Sequence, residues 1–334
     1  MRARVLLSLV VLLGAAACVE DEDDPTTLKD LRVIGMRFEP PEVLIPGCNP
    51  QLLVGAAASA ADAGTGSITL PPQFQQLLAQ YAGKPLQFSA LISDEAGGGR
   101  ELDYRLLACA SRSDRQCDNE GDFALLKEGK TTAGELTAVV APGIQFLDDG
   151  AATPLLLEVI QQDTFKGLGG VRVPVVLELS APDTGELIYA QKLMVYSCQF
   201  FPQQRQNVTP VLPGIQWQGE PWPEDEVKTH AGTEPVSLSP ADFTGLEEAY
   251  VVSSLALQPV QLEEAWKITW MTTSGTMSAY NTGGIGFVGD PGRHNVKWQP
   301  DRRATEPKDV TFHFVVRDGR GGNSWTSRRV RWMP

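Results

Sequence analysis

Histidine is nearly missing from this chain: only His230, His294 and His313 occur among 334 residues. So few imidazoles exclude a His-rich metal centre and most His-dependent catalysis. Positive charge is also short, with 28 Lys and Arg against 41 Asp and Glu, a formal net charge of −13. That balance repels phosphates at long range and argues against a nucleic-acid partner. No Cys-x-x-Cys occurs among the five cysteines, which leaves zinc and redox readings without support. Missing too are the strained Gly-x-Ser-x-Gly elbow, His-Glu-x-x-His, the phosphate loop and the dinucleotide fingerprint. Beyond residue 17, no run is long and apolar enough to span a bilayer.

What is present begins with a cationic start, Met1-Arg2-Ala3-Arg4, and an apolar stretch from Val5 to Ala17. As a helix this stretch is about 20 Å long. A hydrocarbon core needs ~30 Å. Residues 1–17 therefore read as a secretory signal peptide. The small residues before Cys18 resemble the bacterial lipobox, which implies that Cys18 is lipidated and anchors the mature chain by acyl groups such as palmitate. Val19 in place of Asp favours the outer membrane. Residues 18–29 form an acidic tether, opened by Glu20-Asp21-Glu22-Asp23-Asp24, whose like charges keep it extended. The acidic run resembles signals that send some lipoproteins to the cell surface; a plain hydrophilic stand-off is the other reading.

Most of the remaining chain alternates apolar and polar residues in short stretches bounded by Gly, Pro or Asp. Leu31–Phe38, Leu86–Ser93, Tyr104–Cys109, Leu136–Val140, Leu155–Ile160, Val171–Leu179 and Leu187–Tyr196 read as strands. The expected fold is all-β: two tandem Ig-like antiparallel β-sandwiches. The first spans 30–198 and the second 214–334, with a Pro- and Gln-rich linker at 199–213. Composition changes across the linker: all seven Trp follow it and all five Cys precede it. Gly35–Pro40 faintly repeats as Gly214–Trp217 with Glu220-Pro221, a first strand running into a proline turn. One helical insertion is expected near 71–82, where Phe74, Leu77, Leu78 and Tyr81 share a face. In the second domain, Trp266, Ile268 and Trp270 belong to one strand face. Val310, Phe312, Phe314 and Val316 form the core face of a last hairpin turned by Asp318-Gly319-Arg320-Gly321-Gly322.

With Cys18 set aside, Cys48, Cys109, Cys117 and Cys198 permit three connectivities, and an exported chain favours two disulfides. Cys109–Cys117 and Cys48–Cys198 are the expected pairs. Acidic loops at Asp114, Asp118, Glu120 and Asp122 and at Asp148-Asp149 lack EF-hand spacing and read as solvated acids, so no metal and no cofactor are assigned. Residues 290–334 run against the acidic whole, with Lys and Arg outnumbering acids. Arg317, Arg320, Arg329 and Arg331 are candidates for a polyanion-binding cluster, which would meet an acidic glycan or an acidic partner. The alternative is that they solvate an exposed strand and block edge pairing.

The lipobox ending at Cys18, Leu31–Val43 with Glu39-Pro40-Pro41-Glu42, the Tyr104…Cys109…Cys117 segment and Val315–Trp325 together resemble myxobacterial surface lipoproteins with Ig-like or PKD-like domains. The final Val-x-Asp-x-x-Gly hairpin, Val316 to Gly321, is similar to the one that ends many PKD-like domains. The Cys…Trp…Cys core of antibody domains is absent, so the likeness concerns architecture. The resemblance implies no catalytic activity. The expected role is that of a non-enzymatic outer-membrane lipoprotein, on the cell surface, binding or scaffolding an envelope protein or glycan. A periplasm-facing accessory subunit of a pilus or secretion complex is the alternative.

Overall fold

Period-two alternation dictates strands, and in the computed structural model strands dominate residues 24–47, 76, 78–110, 117, 123–146, 154–163, 169–284 and 294–334, the residues it describes. The first domain contains β1 (Arg32–Glu39), β2 (Glu42–Ile45), β3 (Leu86–Ser93), β4 (Leu102–Cys109), β5 (Phe123–Thr131), β6 (Gly134–Val140), β7 (Val171–Ala181) and β8 (Glu186–Cys198). They form a sandwich of β1-β3-β6 against β2-β8-β7-β4-β5. Phe38, Phe88, Leu102, Val173, Leu177 and Met194 are among the fully buried side chains between the sheets.

The second domain contains β9 (Ile215–Trp217), β10 (Glu220–Trp222), β11 (Val227–Ala231), β12 (Val236–Pro240), β13 (Ala249–Ser253), β14 (Pro259–Glu263), β15 (Lys267–Thr272), β16 (Thr276–Met277), β17 (Asn281–Gly283), β18 (Val296–Gln299), β19 (Lys308–Arg317) and β20 (Asn323–Met333). Its sheets run β10-β9-β12-β18-β16 and β11-β20-β19-β15-β17, while β13 and β14 pair only with each other as a projecting arm. The core is aromatic. Trp217, Trp222, Trp266, Trp270, Trp298 and Trp332 pack with Phe312 and Phe314, many edge to face, such as Trp298 on Phe312 at 5.1 Å.

Both sandwiches share one Ig-like device. In the first, β1 pairs with β3; then Pro40 and Pro41, which lack N–H donors, break the ladder. The chain crosses to the opposite sheet, where β2 runs parallel to β8. In the second, β9 pairs with β12 and β11 then runs parallel to β20. These two parallel pairs correct the purely antiparallel expectation. A second correction concerns Leu155–Ile160, expected as a strand. It lies in a helix, α1 (Leu155–Gln162), with Leu155, Leu156, Val159 and Ile160 buried. A short apolar run does not distinguish strand from helix, and here the i, i+4 spacing and good helix formers decide. Of the helical insertion near 71–82, the described part is a wide helical turn at Leu78–Ala82, with Ala82 in the core; the residues that begin it lie outside the described ones.

The sandwiches meet face to face. A bulge in β1 sets Val33 opposite Ile92 and Gly35 opposite Leu91, leaving Ile34 as the extra residue. Val33, Met36 and Phe38 consequently serve the first core, while Ile34 turns to the second domain. There it joins Leu28, Leu91, Met271 and Val315, with Trp325 packed against them. A Cβ on Gly35 would come within 3.1 Å of the Trp325 ring, so glycine lets β1 approach closely. Arg37 covers the other part of that ring at 4.4 Å.

Thr26 to Leu28 also belong to this interface. Leu28 N–H donates to Thr272 O (2.7 Å) and Thr272 N–H to Thr26 O (2.8 Å), and Leu28 is fully buried. The acidic tether therefore does not extend to residue 29 as a free spacer; from residue 24 the chain is bound to the second domain. Replacing Trp325 by Ala should cost about 3 kcal/mol, the usual scale for a packed Trp. Scanning calorimetry should then resolve separate transitions for the two domains where the wild type shows one. An unchanged single transition would contradict the face-to-face coupling.

Candidate functional site

The most densely bonded polar cluster among the described residues lies where the last hairpin turns. Asp318 is 3% exposed. Its Oδ1 accepts from the backbone N–H groups of Arg320 (2.7 Å), Gly321 (3.0 Å) and Gly322 (2.9 Å). Oδ2 accepts from Asn207 Nδ2 at 2.8 Å. The glycines follow from this geometry. Gly319 and Gly321 have φ of 81° and 117°, and a Cβ on Gly322 would meet Asp318 Oδ2 at 2.1 Å. The turn so fixed binds the rest of the junction. Asn323 Nδ2 donates to Met36 O at 2.7 Å. Lys192 Nζ donates to Gly321 O, and Ser324 Oγ to Pro210 O.

Arg320 is held by both domains. Its Nη1 lies 3.1 Å from Glu248 and 3.2 Å from Glu264, and its Nη2 lies 4.0 Å from Glu42 of the first domain. The guanidinium also sits 4.2 Å over the Tyr250 ring. Glu264 accepts from Trp266 Nε1 (3.0 Å) and from Glu248 N–H (3.2 Å). Burial raises the Glu42 carboxyl, with Arg320 opposing, and burial likewise raises Glu264, with the Trp266 bond and Arg320 opposing. Burial lowers the Lys192 ammonium to about 8; Asp318 opposes this and Arg317 adds to it. A cleft of about 180 Å³ opens beside this cluster, lined by Glu42, Arg172, Ser197, Arg205 and Tyr250 among others. Residues of both domains line it.

A larger cavity, about 660 Å³, lies at the same end of the second domain between Phe243, Glu247, Glu263 and His294. Phe243 stacks on Trp266 with centroids 5.3 Å apart. His294 Nδ1 is 3.1 Å from Thr282 Oγ1, which also accepts from Trp270 Nε1 at 2.7 Å. His313 meets Ser327 Oγ at 2.8 Å, and burial lowers its imidazole to about 4, so the ring is neutral at pH 7. Desolvation is the cause of that shift, and the ring's hydrogen-bond partner is the Ser327 hydroxyl. Among the described residues, no group of three or more His, Cys, Asp or Glu could hold a metal.

The four candidate arginines do not form one cluster. Arg317 faces Asn323 at the turn and donates to Thr269 Oγ1 at 2.6 Å. Arg320 is committed to carboxylates. Arg329 and Arg331 lie opposite Thr311 and Asp309, and Arg331 pairs with Asp309 at 2.9 Å. Six strand residues, about 20 Å, separate the two pairs. The cluster is corrected on this geometry: Arg320 is consumed by the junction, Arg317 is bonded to Thr269 within its own sheet, and of the four only Arg329 and Arg331 are exposed. Arg328 points inward, donating to Trp222 O at 2.7 Å.

The disulfide Cys109–Cys117 is present, and both cysteines are buried beside Leu107 and Val176. Cys198, at the end of β8, is disulfide-bonded; Cys48 lies outside the described residues, as do Cys18, Asp114, Asp118, Glu120, Asp122, Asp148 and Asp149. Sequence reasoning missed Glu42, Lys192, Asn207 and Glu264. The available signal was Val315 and Trp325, apolar residues on the otherwise polar face of the last hairpin.

No family model matches the chain, and no curated protein matches it. Solved structures do. The tandem V-type regions of VCBP3, a v-region-containing chitin binding protein, show 12% identity over 75% of this chain and 93% of that one, with a TM-score of 0.23. Extracellular domains 3–5 of Drosophila OTK show 8% identity over 93% and 100%, TM-score 0.20. Red sea bream transglutaminase shows 13% identity over 75% of this chain, which spans 29% of that enzyme, TM-score 0.19. At such scores the class, tandem Ig-like β-sandwiches, rests on the strand order of the chain itself.

Replacing Arg320 by Met should lower stability at pH 7 by about 3 kcal/mol, because Glu42, Glu248 and Glu264 lose their shared cation. The raised carboxyls of Glu42 and Glu264 protonate as pH falls, and a neutral acid does not need the guanidinium. The cost should therefore shrink from pH 7 to pH 4.5 in urea titrations. A cost that grows on acidification would contradict this role.

Proposed function

We propose that the chain is a membrane-anchored lipoprotein of the cell envelope, whose two sandwiches form one non-catalytic body for binding or scaffolding. The observation that carries this reading is the buried junction. Apolar packing and a ten-per-cent-exposed arginine shared by three carboxylates join the domains, a use of polar chemistry that serves geometry. The signal sequence and Cys18 supply the anchor in this reading, and the disulfides suit an exported chain. Outer-membrane placement at the cell surface is part of the proposal. Of the four arginines, Arg329 and Arg331 are those left to meet an acidic glycan.

A second reading, a periplasm-facing accessory subunit of a pilus or secretion complex, draws on the β13–β14 arm. It projects Leu255 (76% exposed), Leu257, Val260 and Leu262 into solvent, and apolar side chains gathered on a projecting hairpin suit docking into an assembly. Protease shaving of whole cells separates the two: the surface reading expects cleavage, the periplasmic reading protection. Cys18→Ser should leave the protein unprocessed or release it from membranes. A variant that fractionates and migrates like wild type would overturn the anchor.

A further inference from the structure

We propose that residues 24–28 act as a strap that sets which end of the body lies against the bilayer, placing the 232–235 and 273–276 turns and the 300–307 loop next to the headgroups. The inference rests on the reading of Cys18 as the lipid anchor. Asp24 Oδ1 accepts from Thr26 N–H at 2.8 Å. The Thr26 hydroxyl in turn accepts from Met277 N–H at 2.9 Å, reaching β16 of one sheet, while Thr26 O and Leu28 N–H bind Thr272 on β15 of the other. Thr27 Oγ1 donates to Gly275 O at 2.6 Å. The segment thus takes over the edge of β15 beyond Trp270, whose N–H is the last to bond on the β17 side, to Tyr280 O at 2.9 Å, and it bridges the two sheets.

The exit point is consequently Asp24, beside the Gly275 turn. Gln299 Nε2 donates to Thr233 O (2.8 Å) and Trp298 Nε1 to Ser274 O (2.9 Å), so the three turns share one end. The six residue steps of chain from Cys18 to Asp24 span at most about 20 Å. Without the strap, the free chain would run to β1 at Arg32 and span about 45–50 Å. The eleven residues of β20 are about 36 Å long. A leash shorter than the sandwich holds the strap end near the lipid and keeps the 318–322 turn and the β13–β14 arm at the far end.

The test uses the lipidated protein in phospholipid vesicles that carry a quencher on the headgroups. A fluorophore is placed through a non-canonical residue at position 306 or at position 255, both exposed. The label at 306 should lose most of its emission and the label at 255 should keep it. An insertion of about twenty Gly and Ser residues between Val19 and Glu20, which lengthens the leash, should restore emission at 306. Equal quenching at both positions, or stronger quenching at 255, in vesicle-bound protein would overturn the strap while leaving the anchor intact. Failure to bind vesicles, matching Cys18→Ser, would instead remove the anchor and this inference with it.

Discussion

A largely covered guanidinium that answers to three carboxylates sets the relation between the two sandwiches. Arg320 stands on the last turn of the second domain and reaches Glu42 on the second strand of the first. Leaving the charge of Glu42 or Glu264, 9% and 1% exposed, without a cation would cost several kcal/mol, so the turn must keep its shape and the domains their distance. Asp318 fixes the shape through three backbone N–H groups. Beside it, Trp325 on Gly35 supplies apolar area, and the polar cluster supplies register. Apolar packing alone is non-directional; it is the charged turn that admits one docking geometry.

The connections reinforce the same geometry. A chain that merely joined two domains would leave its linker solvated. Here Asn207 is 2% exposed and bonded to Asp318, and Pro210 O accepts from Ser324. At the other side Leu28 enters the shared apolar cluster. The segment before the first strand and the segment between the domains thus both lie across the interface, and the first domain is held to the second at both of its ends. The acidic lead-in and the Pro-rich linker are the parts that composition marks as spacers, and tertiary contacts override that reading where Thr26, Leu28 and Asn207 find buried partners.

Much of the fold was legible because its strands obey a period of two: the core faces Val310–Val316 and Trp266–Trp270 emerge from alternation alone. The Cys109–Cys117 bridge followed from proximity. Leu155–Ile160 misled because an apolar run of that length suits either period. The arginines misled for a different reason. Charge on a strand reads as surface unless the partner sheet is known, and the partners Glu264, Glu248 and Glu42 lie 56, 72 and 278 residues from Arg320. No local pattern records such an encounter. Val315 and Trp325 did record it, as apolar residues on the wrong face, and their meaning becomes plain only when Gly35 and Ile34 arrive opposite them.

Native-state hydrogen exchange in rising urea tests most directly whether the junction is part of the folding unit. The amides of Leu28 and Gly322, bonded to Thr272 O and Asp318, should exchange with the same free energy and the same urea dependence as those of Phe88 and Phe314 in the two cores. Exchange of Leu28 and Gly322 through a low-energy opening insensitive to urea, while both cores stay protected, would contradict the single coupled body.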